Sequence, residues 1–197
     1  MKKRFIIVLF TFLLFTAGVK GQEIWRRDSK QTTPSLAIKT NILYDATMSI
    51  NLGAEFKVGR RWTLEIPATY NPWALRADYK WKLLLAQPEL RWWPCEPFNG
   101  HFFGLHGHYA FYNIAGVGSE WMRNYRFEGW LAGGGITYGY QFYLGPRWNL
   151  ELSIGAGYTN LEYDRSECIL CGDFKGRETM GFIGPTKAAL TLIYIIK

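Results

Sequence analysis

Apolar and polar positions alternate with a period of two in two neighbouring stretches, residues 130–144 and 148–158. The even positions from Trp130 to Leu144 and from Trp148 to Tyr158 are apolar, aromatic or glycine. The odd positions are mostly small or polar. Alternation of this length is typical of paired β-strands. The short Gly-Pro-Arg segment between the two stretches therefore predicts a hairpin.

The two faces of this hairpin differ in character. One is a continuous apolar band with aromatic residues near its ends, and the other is polar and rich in glycine, which is typical of transmembrane β-strands. Gly53–Ile66 matches Gly139–Leu152 in Gly, Phe, Gly, Arg, Trp, Leu and Glu. Two such hairpins, about four strands apart, fit opposite walls of an eight-stranded barrel. Convergence of unrelated hairpins on similar residues is the alternative.

The alternation predicts eight strands. We expect an all-β, eight-stranded antiparallel transmembrane β-barrel of outer-membrane type at residues 36–197, with Ile42 and Tyr44 outward in the first strand. Pro67 and Pro88 fall within strands three and four, where each removes a ladder hydrogen bond, and we expect local bulges there. The predicted strands are Leu36–Tyr44, Met48–Val58, Arg61–Asn71, Lys82–Trp92, Phe103–Tyr112, Trp130–Leu144, Trp148–Tyr158 and Lys187–Ile196.

The connections predict an orientation. Short turns around Gly59 and Gly145 lie at one end of the predicted barrel, and longer loops lie at the other, as in barrels whose turns face the periplasm. An even strand number places both termini in the periplasm. The long connections are Pro72–Tyr79, Asn113–Glu128 and Asn160–Phe182. Aromatic residues fit interfacial belts at the turn side (Trp62, Trp92, Trp148) and at the loop side (Tyr44, Tyr70, Tyr158).

Residues 1–21 resemble a secretory signal peptide. A basic start at Lys2–Arg4 precedes an apolar run, Phe5–Thr16, and small residues follow. Cleavage is expected after Gly21, with Gly18 as the alternative, and residues 22–35 are expected to form an exposed periplasmic lead-in. Removing this segment reduces the formal net charge from +7 to +3. The basicity is therefore largely a targeting feature, and it gives no reason to expect a nucleic-acid partner.

A soluble barrel of lipocalin type, apolar inside and polar outside, is the competing architecture. Alternation alone does not distinguish the inner face from the outer one. The glycines favour the membrane form, because small residues on the polar face suit a narrow, crowded lumen. These glycines are Gly133, Gly135, Gly139, Gly155 and Gly157.

The inward positions predict a network of charges in a lumen filled by side chains. A turn at Gly59–Arg61 sets Glu55 opposite Glu65, and two facing carboxylates require a cation. Lys39 on the neighbouring strand can supply it, while Glu151 should enter from the opposite wall towards Arg91 or the histidines. The predicted network is Lys39, Glu55, Lys57, Glu65, Glu89, Arg91, His106, His108 and Glu151.

Six motifs give the chain a resemblance to the domain of unknown function 3575 family of Bacteroidota. The resemblance implies an outer-membrane β-barrel, sometimes associated with fimbrial or surface gene clusters, and supplies no catalytic residues. The motifs are KTNILYDA (Lys39–Ala46), YNPW (Tyr70–Trp73), QPELRWW (Gln87–Trp93), FNGHFFGLH (Phe98–His106), GPRWNLELSIGAGY (Gly145–Tyr158) and GPTKAALTLIYI (Gly184–Ile195).

The cysteines and histidines suggest local chemistry. Cys168 and Cys171 form a CxxC in the last long loop, and oxidation after export predicts a disulfide, with a redox motif or half a zinc site as alternatives. Cys95 is expected to be a free thiol. His106 and His108 share a face that Glu89 could complete as a metal site, but a polar network without a metal is favoured.

The expected location is the cell outer membrane, and the expected partners are outer-membrane lipid and surface or fimbrial proteins. A surface binding or assembly role, carried by the loops, is the leading functional hypothesis. A purely structural membrane protein is the second. A lipid or ester hydrolase that pairs Ser153 with a histidine and a glutamate is the third, and nothing in the spacing requires it. No cofactor is expected.

Overall fold

The computed structural model describes residues 34–76, 79–115, 125–167 and 174–196. The predicted signal peptide, most of the lead-in and the CxxC cysteines lie outside these ranges. Residues 33–197 form one compact unit. Its elements are β1 Leu36–Asn41, α1 Ile42–Ala46, β2 Ile50–Lys57, β3 Trp62–Asn71, β4 Ala74–Arg76, β5 Tyr79–Ala86, β6 Glu89–Trp92, β7 Gly100–Ala115, β8 Tyr125–Tyr143, β9 Trp148–Glu167 and β10 Phe174–Ile196.

All strand pairings are antiparallel, and within the described residues nine strands close into a ring. The first strand closes it, because β1 pairs with both β2 and β10. The short strand β4 pairs only with β5. The predicted all-β antiparallel class is thus confirmed. Among the described residues, no helix combines the length and hydropathy of a membrane-spanning helix.

The predicted count of eight strands differs from the structure at Lys82–Trp92. This segment forms two strands, β5 and β6, that are interrupted at Gln87–Pro88, and both pair with β3 and β7. The register continues across the interruption, since Ala86 pairs with Ala68 and Glu89 with Glu65. At Pro67 the pairing with β2 is also regular. The predicted bulges at the two prolines are therefore wrong.

A bulge occurs instead in β10, where the register shifts between Pro185 and Lys187. Thr186 is the extra residue. Before the bulge, Gly184 pairs with Gly157, which lies on the inward face of β9; after it, Lys187 pairs with the inward Gly155. The inward positions of β10 thus change from even to odd numbers, as expected when a bulge inserts one residue.

Two other predicted segments differ from the structure. The first predicted strand ends at Asn41, whose side chain accepts a hydrogen bond from the Leu43 backbone amide and caps α1. Ile42 and Tyr44 therefore lie in a helix and not on an outward strand face. The predicted loops are also shorter: β7 and β8 include Asn113–Ala115 and Tyr125–Glu128, and β9 and β10 include Asn160–Glu167 and Phe174–Phe182.

The ring is polar inside and apolar outside. The outward side chains of Leu105, Ile136 and Ile154 are 65, 69 and 63% exposed, whereas Glu55 and Arg91 inside the ring are both 0% exposed. This arrangement is the reverse of that expected for a lipocalin-type barrel. We call the exposed apolar set the outward band; it includes Ile50, Leu52, Ile66, Leu84, Leu105, Phe111, Ile136, Leu152 and Ile154.

The two ends of the ring have different connections. The turn end has the connections at residues 58–61, 93–99 and 144–147, and the loop end has α1 and the connections that follow β3, β7 and β9. Trp62, Trp92 and Trp148 are exposed near the turn end, and Trp62 pairs directly with Trp92. Inside the turn end, Trp93 lies 5.0 Å from Phe102 and 6.2 Å from Phe98, measured between ring centroids, so aromatic side chains fill the interior there.

Candidate functional site

A cluster of buried charges occupies the interior of the ring. It contains four carboxylates and three cations, all of which are buried or nearly so. The side chains come from six strands: β1, β2, β3, β6, β9 and β10. We call this group the ion cluster; its members are Lys39, Glu55, Glu65, Glu89, Arg91, Glu151 and Lys187.

Arg91 lies at the centre of the cluster and contacts all four carboxylates. Its Nε donates to Glu89 Oε1 at 2.7 Å, its Nη1 donates to Glu55 at 3.1 Å and to Glu151 at 2.8 Å, and its Nη2 donates to Glu65 and Glu151. The guanidinium carbon lies 4.3 Å from the centre of the Phe102 ring. Only a planar group with five N–H donors can make this set of contacts, which a lysine ammonium cannot reproduce.

Lys39 is the second cation. Glu55 and Glu65 are direct partners across β2 and β3, as the turn geometry predicts. The Lys39 ammonium lies 2.6 Å from Glu55 and 3.4 Å from Glu65, and it reaches Glu151 on β9 at 2.7 Å. Thr63 adds a hydroxyl hydrogen bond to Glu55 at 2.5 Å. The facing carboxylates are therefore bridged by a cation and are not left to repel one another.

Lys187 is the third cation, and it is not a member of the network predicted from the sequence. Its ammonium lies 2.7 Å from Glu89 and 3.3 Å from Glu65. A signal was present in the sequence, because the alternation that places Leu190 and Leu192 outward also places Lys187 inward. The bulge at Thr186 sets this phase.

Lys57 is a predicted member of the charge network that lies outside the ion cluster. It is half-buried at the end of β2, and among the described residues the ion pairs of these four carboxylates are with Lys39, Arg91 and Lys187. The position near the turn end explains this, since the cluster lies deeper in the ring, at the level of Glu55 and Arg91.

The two histidines extend the polar interior towards the loop end. His106 Nδ1 lies 2.8 Å from Thr137 Oγ1, and its Nε2 lies 2.9 Å from Thr186 Oγ1. Thr137 donates its only proton to Glu89 at 3.1 Å, so Nδ1 of His106 must be the donor, and Nε2 of the neutral ring accepts from Thr186. A hydrogen-bonded chain therefore connects the bulge of β10 to the ion cluster.

The sequence allowed two further kinds of site, a metal site formed by His106, His108 and Glu89 and a hydrolase site at Ser153. Both ring nitrogens of His106 contact threonine hydroxyls, and Glu89 is bound to Arg91, Lys187 and Thr137, so these groups do not converge on a common point. Among the described residues, no group of three or more potential ligands could hold a metal ion. The buried Ser153 hydroxyl has no hydrogen-bond partner among the described residues, and thus no hydrogen bond to either histidine.

Little free space remains around the cluster. A cavity of about 20 Å³ lies next to Lys39, Asn41, Glu65 and Lys187, and it is large enough for roughly one water molecule. Tyr44 of α1 also lines this cavity, although the alternation predicts it outward. Burial raises the pKa of the Tyr44 phenol, and the Lys187 ammonium opposes this shift.

The cysteines are described only in part. Cys95 is a free, exposed thiol in the connection between β6 and β7. The predicted Cys168–Cys171 disulfide lies outside the described residues and stays a prediction.

Residues 6–196 match the model of the family described as a protein of unknown function, DUF3575. The chain belongs to this family. The predicted family membership is therefore confirmed over nearly the whole chain. Neither the comparison with curated proteins nor the comparison with solved structures gives a match.

Proposed function

We propose that this DUF3575 protein is a transmembrane β-barrel of the bacterial outer membrane that presents the loop end at the cell surface. The outward band is the observation that carries the proposal. Large apolar side chains that are about half to two-thirds exposed surround a ring whose charges are buried. A soluble monomer rarely exposes a contiguous apolar surface of this extent, whereas a barrel in lipid requires one.

The lengths of the strands support the orientation. About 9–11 residues suffice to span a bilayer, but β8, β9 and β10 contain 19, 20 and 23 residues. Their loop-end halves carry charged side chains, with Arg177 Nε 3.0 Å from Asp164 Oδ1. These halves extend beyond the outward band and form a polar surface suited to binding or assembly with surface or fimbrial proteins.

Fractionation tests the membrane location. The mature protein should sediment with the outer membrane, and it should migrate on gels at a different apparent mass before and after boiling, as stable barrels do. Recovery in the soluble periplasmic fraction after gentle lysis would exclude the proposal.

Cysteine labelling tests the orientation. A bulky maleimide that does not cross membranes should leave Cys95 unlabelled in intact cells and label it after the outer membrane is permeabilised, because Cys95 lies at the turn end. As a matched control, Ala46→Cys at the exposed end of α1, on the loop end of the ring, should react in intact cells. Labelling of Cys95 but not of the introduced cysteine in intact cells would mean that the orientation is reversed.

A truncation separates a surface role from a purely structural one. Glu162 and Thr179 are direct partners in β9 and β10, so replacing Tyr163–Glu178 by Asn-Gly should close a short hairpin. The variant should keep its heat-modifiable migration but lose attachment or fimbriation. A fully folded truncation with unchanged attachment and fimbriation would favour the structural role.

A further inference from the structure

A second cavity lies inside the ring between the histidines and the loop end. Its volume is about 420 Å³, within the range of roughly 300–1,000 Å³ that is usual for small-molecule sites. Its apolar lining comes from β5, β7, β8, β9 and β10. We call it the loop-end pocket; the apolar side chains that define it are Leu85, Ala110, Leu131, Leu161, Met180 and Phe182.

The lining contrasts with the rest of the interior. Below it, towards the turn end, the inward positions are charged or carry hydroxyl and imidazole groups. The same inward faces become apolar at the loop end: His106 and His108 are followed by Ala110 on β7, and Thr159 is followed by Leu161 on β9. Water forms few hydrogen bonds with such a lining, whereas an apolar ligand buries its apolar surface there.

One buried polar atom lacks a partner at the polar side of this pocket. His108 lines the pocket and is only 7% exposed. Its Nε2 lies 2.8 Å from Thr159 Oγ1, but Nδ1 has no hydrogen-bond partner among the described residues. Nδ1 exposes almost no surface, so a ligand group would reach it only if the imidazole turned towards the pocket. A buried polar atom without a partner is costly, and this contact would remove that cost.

We propose that the loop-end pocket binds a single-chain amphiphile of the fatty-acid or fatty-alcohol class. The small head group hydrogen-bonds to His108 Nδ1, and the chain lies along the apolar side chains of the pocket. A carboxylate would accept from Nδ1–H, and an alcohol can donate to unprotonated Nδ1, so both classes share the required chemistry. This site goes beyond the proposed membrane location, because it lies inside the ring and does not involve the outward band.

Photocrosslinking in lipid nanodiscs tests the proposal directly. The probe is dodecanoic acid with a diazirine at the chain end, and the folded state is checked by heat-modifiable migration. Crosslinking should saturate with probe concentration and map to peptides that contain Leu131, Leu161 or Met180. Unlabelled dodecanoic acid or 1-dodecanol should compete with the probe, and the better competitor identifies the head group.

Two variants should close the site. Ala110→Trp and Leu161→Trp each place an indole in the pocket and should reduce saturable crosslinking at least tenfold. The matched control is Ile154→Trp, the same new side chain on the outward face, which should leave it unchanged. The two substitutions lie on different strands, so the test can still be carried out if one of the variants does not fold.

A third variant tests the head-group contact. His108→Phe keeps a ring but removes the hydrogen bond, and it should weaken competition by dodecanoic acid or 1-dodecanol about tenfold, with no change for dodecane. Crosslinking that does not saturate, that maps only to outward residues such as Ile154, or that persists in both tryptophan variants would overturn the proposal. So would an unchanged His108→Phe profile.

Discussion

At the scale of single residues, the charges inside the ring follow from strand geometry. A turn of known length fixes which residues face each other, and Glu55 and Glu65 could be predicted as partners for this reason. The contact of Lys39 with these two carboxylates follows from its position on β1, which pairs with β2. The reach of Arg91 to four carboxylates could not be predicted, because it depends on how far the side chain crosses the ring.

Replacing Lys39 by Met should destabilise the protein by about 3–5 kcal/mol, because breaking a buried ion pair leaves charges without compensation. Glu55 and Glu151 would each lose a contact shorter than 2.8 Å. Urea unfolding followed by tryptophan fluorescence measures the change. The same substitution at Lys82, which is exposed on β5, should stay within about 0.5 kcal/mol. Equal effects at both positions would show that the ion cluster contributes nothing specific.

Cysteine chemistry is also a prediction at the residue scale. Cys168 and Cys171 should be oxidised to each other after export, since exported cysteines normally form disulfides. Alkylation of the native protein followed by mass spectrometry should label the exposed Cys95 and leave the other two unlabelled until a reductant is added. Labelling of Cys168 and Cys171 without a reductant, or one bound zinc per chain, would contradict the disulfide.

At the scale of elements, prediction succeeds where a strand has two different faces. Over the outward band, alternation located most of the strands within a few residues. At the loop end, β9 continues to Glu167 and β10 begins at Phe174, beyond the segments in which outward apolar and inward polar residues alternate, so the pattern ends before the strands do. The interruption between β5 and β6 and the cap at Asn41 also have no periodic signal, since one depends on the exposed Pro88 between the two strands and the other on a single side chain.

Glycines on the inward face allow the backbones of β8 and β9 to approach each other closely. A Cβ at Gly135 would lie 2.3 Å from the Ala156 carbonyl oxygen and 2.9 Å from Gly157 Cα, so the backbones would have to separate. Gly135→Ala should therefore destabilise the protein by about 1–3 kcal/mol. At Gly107 the nearest atom would be 3.8 Å away, so Gly107→Ala is the matched control and should cost less than about 0.5 kcal/mol. Urea midpoints of the two variants give the comparison, and similar midpoints would contradict it.

At the scale of the whole molecule, the filled interior predicts that the ring contains no open, conducting path. The aromatic layer at the turn end and the ion cluster leave a cavity of only about 20 Å³ between the charged groups. Planar-bilayer recordings of the wild type should therefore show little or no steady conductance. Arg91→Ala should destabilise the fold before it opens a path, because it leaves four buried carboxylates with only two cations. A large, stable, ion-selective current in the wild type would contradict the filled interior.

The ion cluster also joins segments that are far apart in the sequence, which bears on when the ring can close during folding. Lys39 lies 112 residues from Glu151, and Arg91 lies 60 residues from it. Contacts between such distant segments form late, because a long loop must close first. The first strand can meet β9 and β10 only after nearly the whole chain has been synthesised. Until then the four carboxylates have an incomplete set of cations and favour water over lipid. Charge neutralisation and ring closure therefore require the same strands, and for the proposed membrane location we expect an incomplete or misregistered chain to keep its charges hydrated and to insert poorly.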